Sequence, residues 1–338
     1  MSPDFHEIWE ELCSENRQGE GWNTRRVCPA SSCAIFAAVS GKEFQPALLV
    51  EVKASSIPAI PEYPRARGFE VTPVSVTAGR RGLVRLVLSL TSPQYTNVFE
   101  ILAGDVSGVV ANAPDEQAGV RALLARLRIW QEFMRRHGSE GLSTREQTGL
   151  FSELFFLRRH ILPLLSASDS VRIWAGPNEE THDFVTSRTA IEVKGTTAVP
   201  ASTFEVSSLL QLDETRVGNL CLCHYAWSIG PADGQTLPEL IESIRETLAN
   251  EDPTAMTLFN DSLVRVGYLD SQAPLYEDRR LKETHERIFE IQEGFPRLRT
   301  CDVPSGIAGG SYTVELAACA DFHLEAAGLT RMLTGDIQ

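Results

Sequence analysis

The chain has 338 residues, a formal net charge of −14, and 43% hydrophobic against 22% charged residues. That length allows two domains with a substantial core, and the balance is that of an ordinary globular protein, not a disordered or fibrous one. No apolar run nears the ~18 residues of a membrane span. The start, Met-Ser-Pro-Asp-Phe-His-Glu, lacks a basic patch ahead of an apolar stretch, so a cytoplasmic, non-membrane protein is expected. The acidic balance argues against indiscriminate coating of nucleic acid but leaves room for a local basic groove.

In chain order, Met1–Glu15 reads as an opening amphipathic helix. Short β-rich runs follow at Ser32–Val39, Ala47–Ala54, Phe69–Thr77, Leu83–Leu90 and Val98–Ile101, with Pro58, Pro61, Pro64, Pro73 and Pro93 as punctuation. Gly104–Pro114 is a plausible joint. Residues 1–112 are therefore expected to form a β-rich N-terminal domain, a docking or DNA-contact module, and residues 113–338 a second domain. From Asp115 to His137 the apolar positions Val120, Leu123, Leu124, Leu127, Trp130 and Met134 recur at helical spacing. Gly138–Leu142 breaks that pattern. Thr144-Arg145-Glu146-Gln147 then has the form of a capping box and opens a helix running to Leu162, before Pro163.

Beyond it come a hairpin, a strand near Thr203–Val206, a short Ser207–Leu212 helix and the apolar strand Leu220–Trp227. Leu237–Ala249 and Thr254–Leu263 read as helices, Val264–Leu269 as a strand, Leu281–Gln292 as a helix and Tyr312–Ala320 as a last strand. Strands alternating with helices imply an α/β (α+β) unit around a mixed sheet. Seven scattered cysteines suit reduced, buried thiols better than a disulfide framework. Cys221-Leu222-Cys223-His224 lacks a second ligand pair at finger spacing, so zinc is disfavoured.

Basic residues concentrate in two stretches. Arg121, Arg126, Arg128, Arg135, Arg136, Arg145, Arg158 and Arg159 form one; Arg65, Arg67, Arg80, Arg81 and Arg85 form the other. Solvated helix and strand faces account for most of them equally well. Lysine is rare: Lys42, Lys53, Lys194 and Lys282 are the whole set. A compact, titratable ammonium after Glu192-Val193 is therefore a choice worth noting.

The hairpin is His182-Asp183-Phe184-Val185-Thr186-Ser187-Arg188-Thr189-Ala190-Ile191-Glu192-Val193-Lys194. With Ser187-Arg188 as its two-residue turn, Asp183 lies opposite Glu192, and Glu192 shares its face with Lys194. Directly opposed Cβ atoms sit ~4.5–5.5 Å apart, where like charges destabilise a sheet. A hard cation held by both carboxylates would remove that penalty. On the preceding helix Glu153 borders the buried stripe, where it needs either an arginine or a metal as partner. Gly149, one turn earlier, would let the helix approach the sheet. Glu51-Val52-Lys53 repeats the Glu-x-Lys pattern, but no hairpin aspartate precedes it, so two solvent-facing charges are expected there. No Gly-x-Ser-x-Gly elbow or Walker loop occurs.

Asp183, Glu192 and Lys194 resemble the signature of the PD-(D/E)xK nuclease superfamily. Gly149-Leu150-Phe151-Ser152-Glu153-Leu154, His182-Asp183-Phe184 and Ile191-Glu192-Val193-Lys194-Gly195-Thr196 together resemble a bacterial family within it, encoded beside phage-defence and restriction genes. The resemblance is strongest over residues ~113–225, and His182 stands where the superfamily usually has proline. It implies a restriction-endonuclease-like mixed sheet flanked by helices and a Mg²⁺-dependent endodeoxyribonuclease, with Mn²⁺ as a substitute ion. Asp183, Glu192 and the Val193 carbonyl would ligate the metal, which polarises the phosphate and activates a water. Lys194 would orient that water, and Glu153 would serve a second metal or its waters.

His182, Gln211 and Arg145 are implied phosphate contacts, His182 with a structural role as the competing reading. Implied partners are DNA, other defence-system proteins and a second copy of the chain. A non-catalytic DNA- or partner-binding subunit and chemistry on another phosphoester remain open alternatives.

Overall fold

The computed structural model describes residues 3–15, 21–41, 43–58, 63–76, 82–137, 140–178, 180–214, 217–230, 232–307 and 309–335. Lys42, Arg80 and Arg81 lie outside them. The chain divides into two units, Met1–Glu140 and Gly141–Gln338.

In the first unit, helix α1 (Phe5–Ser14) is capped by the Asp4 side chain and buries Phe5, Trp9 and Leu12. Five antiparallel strands follow: β1 (Trp22–Val27), β2 (Ala34–Ser40), β3 (Pro46–Lys53), β4 (Phe69–Ser75) and β5 (Leu83–Leu90), in the spatial order β1-β2-β3-β5-β4. Strand β1 escapes sequence reading because Asn23, Thr24, Arg25 and Arg26 suit an exposed edge, with no apolar alternation to betray it. Val98–Ile101 is not a strand but part of α2 (Thr96–Ala111). Its apolar residues continue at helical spacing through Leu102, Ala103, Val106 and Val110, all buried, so the expected joint at 104–114 falls mostly inside this helix.

Helix α3 (Glu116–Arg136) packs on α2. Asp105 takes both the Arg126 guanidinium and the Trp130 indole N–H, the latter at 2.7 Å. That packing puts α3 in the first unit, so the division falls at 140/141 and not at 112/113.

The second unit opens with α4 (Thr144–Phe156). Its capping box is Ser143 with Glu146, one residue earlier than the expected pair. A π-turn over Leu157–Ile161 follows, where the sequence suggests unbroken helix. Next come α5 (Ala167–Ile173), the hairpin strands β6 (Phe184–Val185) and β7 (Thr189–Thr196), then β8 (Thr203–Val206) and β9 (Asn219–Ile229). Helices α6 (Leu237–Glu251) and α7 (Pro253–Arg265), strands β10 (Leu281–Glu290) and β11 (Tyr312–Glu315), and α8 (Ala326–Gly335) complete the unit.

The main sheet runs β10-β9-β7-β6, with β7 parallel to β9 and the other pairs antiparallel; β8 and β11 form a separate ribbon. This is the expected mixed sheet flanked by helices. Cys221 and Cys223 are buried thiols on β9.

Four further expectations in this unit fail. Leu281–Gln292 is strand β10, not helix: Ile288 joins the core under α4 and α6, whereas the adjacent Phe289 joins the core under the β8–β11 ribbon. Adjacent apolar residues aimed at opposite faces near the end of this edge strand break its alternation and imitate helical spacing. Val264 and Arg265 end α7, and Gly267, at φ +93°, turns the chain where a strand was expected. Residues 207–212 form turns, and a 3₁₀ stretch, Leu316–Phe322, replaces the end of the last expected strand.

Close approach of α4 to the sheet is set by Gly195 on β7, not by Gly149. A Cβ on Gly149 would meet nothing within 4 Å, whereas one on Gly195 would collide with the Ser152 hydroxyl. That hydroxyl donates to the Thr148 carbonyl at 2.7 Å and accepts the Trp227 indole N–H at 2.9 Å. Replacing Gly195 with Ala should therefore destabilise the protein by ~1–3 kcal/mol, the usual range for overpacking. Thermal melting should reveal the loss, and a melting temperature equal to wild type would refute the contact.

Candidate metal-dependent active site

Phe184 pairs with Ile191 and Val185 with Ala190, the register that places Asp183 opposite Glu192. Asp183 stands one residue before β6, held by its own backbone: its carbonyl accepts the N–H groups of Ala175 at 2.8 Å and Gly176 at 3.1 Å. Its Oδ2 accepts the Val193 N–H at 2.7 Å. Glu192 is 2% exposed on an interior strand. Its Oε1 receives Lys194 Nζ and Gln211 Nε2, each at 2.7 Å. Its Oε2 has no hydrogen-bond partner among the described residues.

Glu153 reaches the same region from α4 and accepts the Trp174 indole N–H at 2.8 Å, so an arginine is not its partner in this hydrogen bond. Gly176 shows how closely the two approach. A Cβ there would lie 3.1 Å from Glu153 Oε2 and 3.4 Å from Asp183 Oδ1, a position that favours a residue without one. These groups line a cleft of about 620 Å³ with Gln211, Arg145 and Arg279.

The electrostatics follow from crowding. Burial pushes Glu153 well above the usual carboxylate range, helped by the charges of Asp183 and Glu192. Burial also raises Asp183, against the pull of Lys194 and the Val193 N–H. Glu192 is pushed up to about 8, by burial first and Asp183 second. Burial alone would lower Lys194, but Glu192, Asp183 and Glu153 outweigh it and hold its ammonium above the ordinary value.

The candidate phosphate contacts divide. Gln211 is inside the site: besides Glu192, its Oε1 accepts Ser207 N–H at 2.8 Å and faces Lys194 at 3.4 Å. Arg145 is at the cleft but exposed and paired with Glu205 at 3.0 Å. His182 is not among the cleft-lining residues. It is buried and lines a separate cavity of about 180 Å³ with Leu210, Asp213 and Val217, which supports its structural reading.

The second Glu-x-Lys pattern also resolves. Glu51 is not solvent-facing; it pairs with Arg85, its cross-strand partner on β5, while Lys53 is exposed.

Two cleft residues escape sequence reasoning. Arg279 donates to the Thr144 carbonyl at 2.6 Å and to Thr148 Oγ1 at 2.9 Å. His224, register partner of Lys194 on β9, is fully buried, and neither ring nitrogen has a hydrogen-bond partner among the described residues. Burial and the Arg287 charge lower it to about 4, so it is neutral at pH 7. No local motif announces Arg279, and the pattern that holds His224, Cys221-Leu222-Cys223-His224, gives no pointer to the cleft; each reaches it by tertiary pairing.

A metal fits the donor set on one observation, the unpaired, buried Glu192 Oε2 among carboxylates that repel one another. Asp183, Glu192 and the Val193 carbonyl are the groups that would hold it, with Glu153 alongside. Among the described residues no three His, Cys, Asp or Glu side chains form a ready cage, so an ion here would draw further ligands from water and substrate, as Mg²⁺ commonly does.

A mixed sheet presenting this carboxylate pair and lysine at a cleft defines a PD-(D/E)xK nuclease-like fold. The chain belongs to the family described as "Putative PD-(D/E)XK family member" (DUF4420), whose model matches residues 5–317. No curated protein and no solved structure matches it. Among the described residues no helix is long and apolar enough to cross a membrane.

The raised carboxylates carry a pH signature. Between its unfolded value near 4.5 and about 8, folded Glu192 binds a proton that the unfolded chain has released. Stability must therefore fall as pH rises through that window, and Glu153 acts in the same sense. In chelator, melting temperature should decline from pH 6.5 to 8.5, less steeply in Glu192→Gln. Mn²⁺ should flatten the wild-type slope by replacing the proton. Equal slopes in wild type and variant would refute this assignment.

Proposed function

We propose that this protein is a divalent-metal-dependent endodeoxyribonuclease acting in restriction or phage defence. The observation that carries the reading is Glu192, buried between Asp183 and Lys194 with one oxygen unmatched. Mg²⁺, or Mn²⁺ in its place, would polarise the scissile phosphate and lower the pKa of an attacking water when bound.

The chain's own residues supply the rest. Lys194 holds a full positive charge beside Glu192, placed to orient the water and to offset charge gathering on the phosphate. Gln211 fixes the Glu192 rotamer, and its own amide is fixed by Ser207. Glu153, high in pKa and anchored by Trp174, can hold a proton or a water next to Asp183. Arg145 and Arg279 line the cleft and suit backbone phosphates. DNA is the proposed substrate, a second copy of the chain would serve to cut the other strand, and companion defence proteins are proposed partners in a cytoplasmic setting.

A second reading, a non-catalytic DNA- or partner-binding subunit with the same fold, draws on the direct Lys194–Glu192 ion pair, which leaves Glu192 one oxygen for a metal.

Plasmid cleavage with Mg²⁺ or Mn²⁺ should fall ~100-fold or more in Asp183→Ala and in Lys194→Ala, the scale of losing one preorganised electrostatic group. Cleavage unchanged in both variants would sink the nuclease reading. Calorimetric titration with Mn²⁺ separates the two readings. The nuclease requires binding heat that disappears in Asp183→Ala, and a retired site gives no such heat in wild type.

A further inference from the structure

The two basic stretches of the sequence meet in the first unit. Arg65 and Arg67, from the loop before β4, and Arg128 and Arg135, from α3, line one cavity of about 300 Å³. Among the described residues Glu132 is the single carboxylate in its wall, and Arg135 and Arg136 already hold it. Their guanidinium groups lower Glu132 to about 2, so it stays ionised and offsets no further charge. Arg67 and Arg128 are exposed and have no carboxylate partner among the described residues.

The loop is built, not incidental. Ala66 N–H bonds the Phe69 carbonyl at 2.8 Å, and Gln131 Nε2 bonds the Arg65 carbonyl at 2.8 Å. Thr91 Oγ1 bonds the Arg67 carbonyl at 2.9 Å, and Thr91 N–H bonds the Gly68 carbonyl at 3.1 Å. Gly68 lies so close to Met134 and Tyr95 that a Cβ would approach both within 3 Å. Backbone bonds and packing thus fix the loop that carries Arg65 and Arg67 beside the stretch of α3 that carries Arg128 and Arg135. On a chain of net charge −14, four arginines against one carboxylate leave this wall locally positive, which favours an anionic ligand.

We propose that this cavity binds phosphate groups, those of a nucleic-acid backbone or of a free nucleotide. A single carboxylate ligand brings one charge, whereas phosphates bring several and accept the guanidinium fork in pairs. The volume is at the lower end for a ligand site and suits one nucleotide or a few backbone phosphates. The inference does not rest on the nuclease reading, because the arginines belong to the other unit and none is a cleft residue.

The test uses full-length protein carrying Asp183→Ala, in chelator, so that no cleavage intervenes. Fluorescence anisotropy reads a labelled oligonucleotide, single- or double-stranded, and calorimetry reads ATP. The double variant Arg67→Ala/Arg128→Ala should bind at least tenfold more weakly. For the oligonucleotide, the slope of log affinity against log salt should become shallower by about two. The charge-matched control Arg25→Ala/Arg26→Ala should bind like its parent.

Both substituted arginines are exposed, so melting temperature should hold, and Arg67→Lys/Arg128→Lys should restore part of the affinity if fold is unaffected. Binding of ATP without oligonucleotide identifies the free nucleotide as the source, and the reverse identifies the backbone. No binding of either, equal loss in the control pair, or preference for poly-glutamate over both phosphate ligands would overturn the proposal.

Discussion

An ionisable carboxylate on an interior strand is the constraint to which the second unit answers. Glu192 sits on β7, flanked by β6 and β9, with 2% of its surface exposed. Burying such a group without a partner costs several kcal/mol. A neutral hydrogen bond such as that from Gln211 contributes only about 0.5–1.5 kcal/mol net, so it cannot offset that cost alone. The Lys194 ammonium at 2.7 Å stabilises the carboxylate more than Gln211 does, and a proton or a cation on Glu192 is the remaining means of relief. Asp183 and Glu153 add to the strain and draw on the same relief, which is why all three carboxylates rise together.

The surrounding fold holds this cluster in place against its own repulsion. Helix α4 is fixed at its start by the Ser143–Glu146 box and in its middle by Ser152 against Gly195 and Trp227. Past its end, the π-turn brings His160 to Glu286 at 2.8 Å, where the Tyr225 hydroxyl also donates at 2.7 Å. Aromatic rings fill the space between: Phe151 and Phe155 meet Trp227 edge-on at 4.9 and 5.1 Å. With the helix immobilised at these points, Glu153 has little freedom to swing away from Asp183. On the opposite face, the β8–β11 ribbon closes a second core over Leu222 and Phe289, and the turn after β8 carries Gln211 to Glu192.

What can be read from the sequence is what lies within a few residues. The hairpin register needs only a two-residue turn and the alternation of side chains, so Asp183, Glu192 and Lys194 are recognisable as a set. Glu153 is recognisable from its place beside an apolar stripe. Trp174 as its partner is not, because twenty-one residues separate them and indoles are ordinary core residues. Arg279 and His224 reach the cleft from β10's approach and from β9, by pairings that no short window encodes. Strand β10 misleads because Ile288 and Phe289, buried on opposite faces, break its alternation, and Leu281, Ile288 and Ile291 then imitate a helix. The N-terminal boundary misleads because splitting α2 into a strand and a joint leaves α3 without the helix it packs against.

The cluster also bears on whether this fold serves chemistry or only shape. A fold by itself does not imply a function; the site has to make the case. For structural purposes, buried ion pairs are commonly replaceable by apolar residues of similar volume at no loss, or with gain, in stability. The first unit shows the ordinary structural solution on its own sheet: Glu51 meets Arg85 across the strands, and the charges match. At Glu192 they do not. Three carboxylates share one ammonium, one buried oxygen is left unmatched among the described residues, and the pKa values climb accordingly. Packing gains nothing from that imbalance. A divalent cation would correct it, and the donors that would receive the cation already line an open cleft.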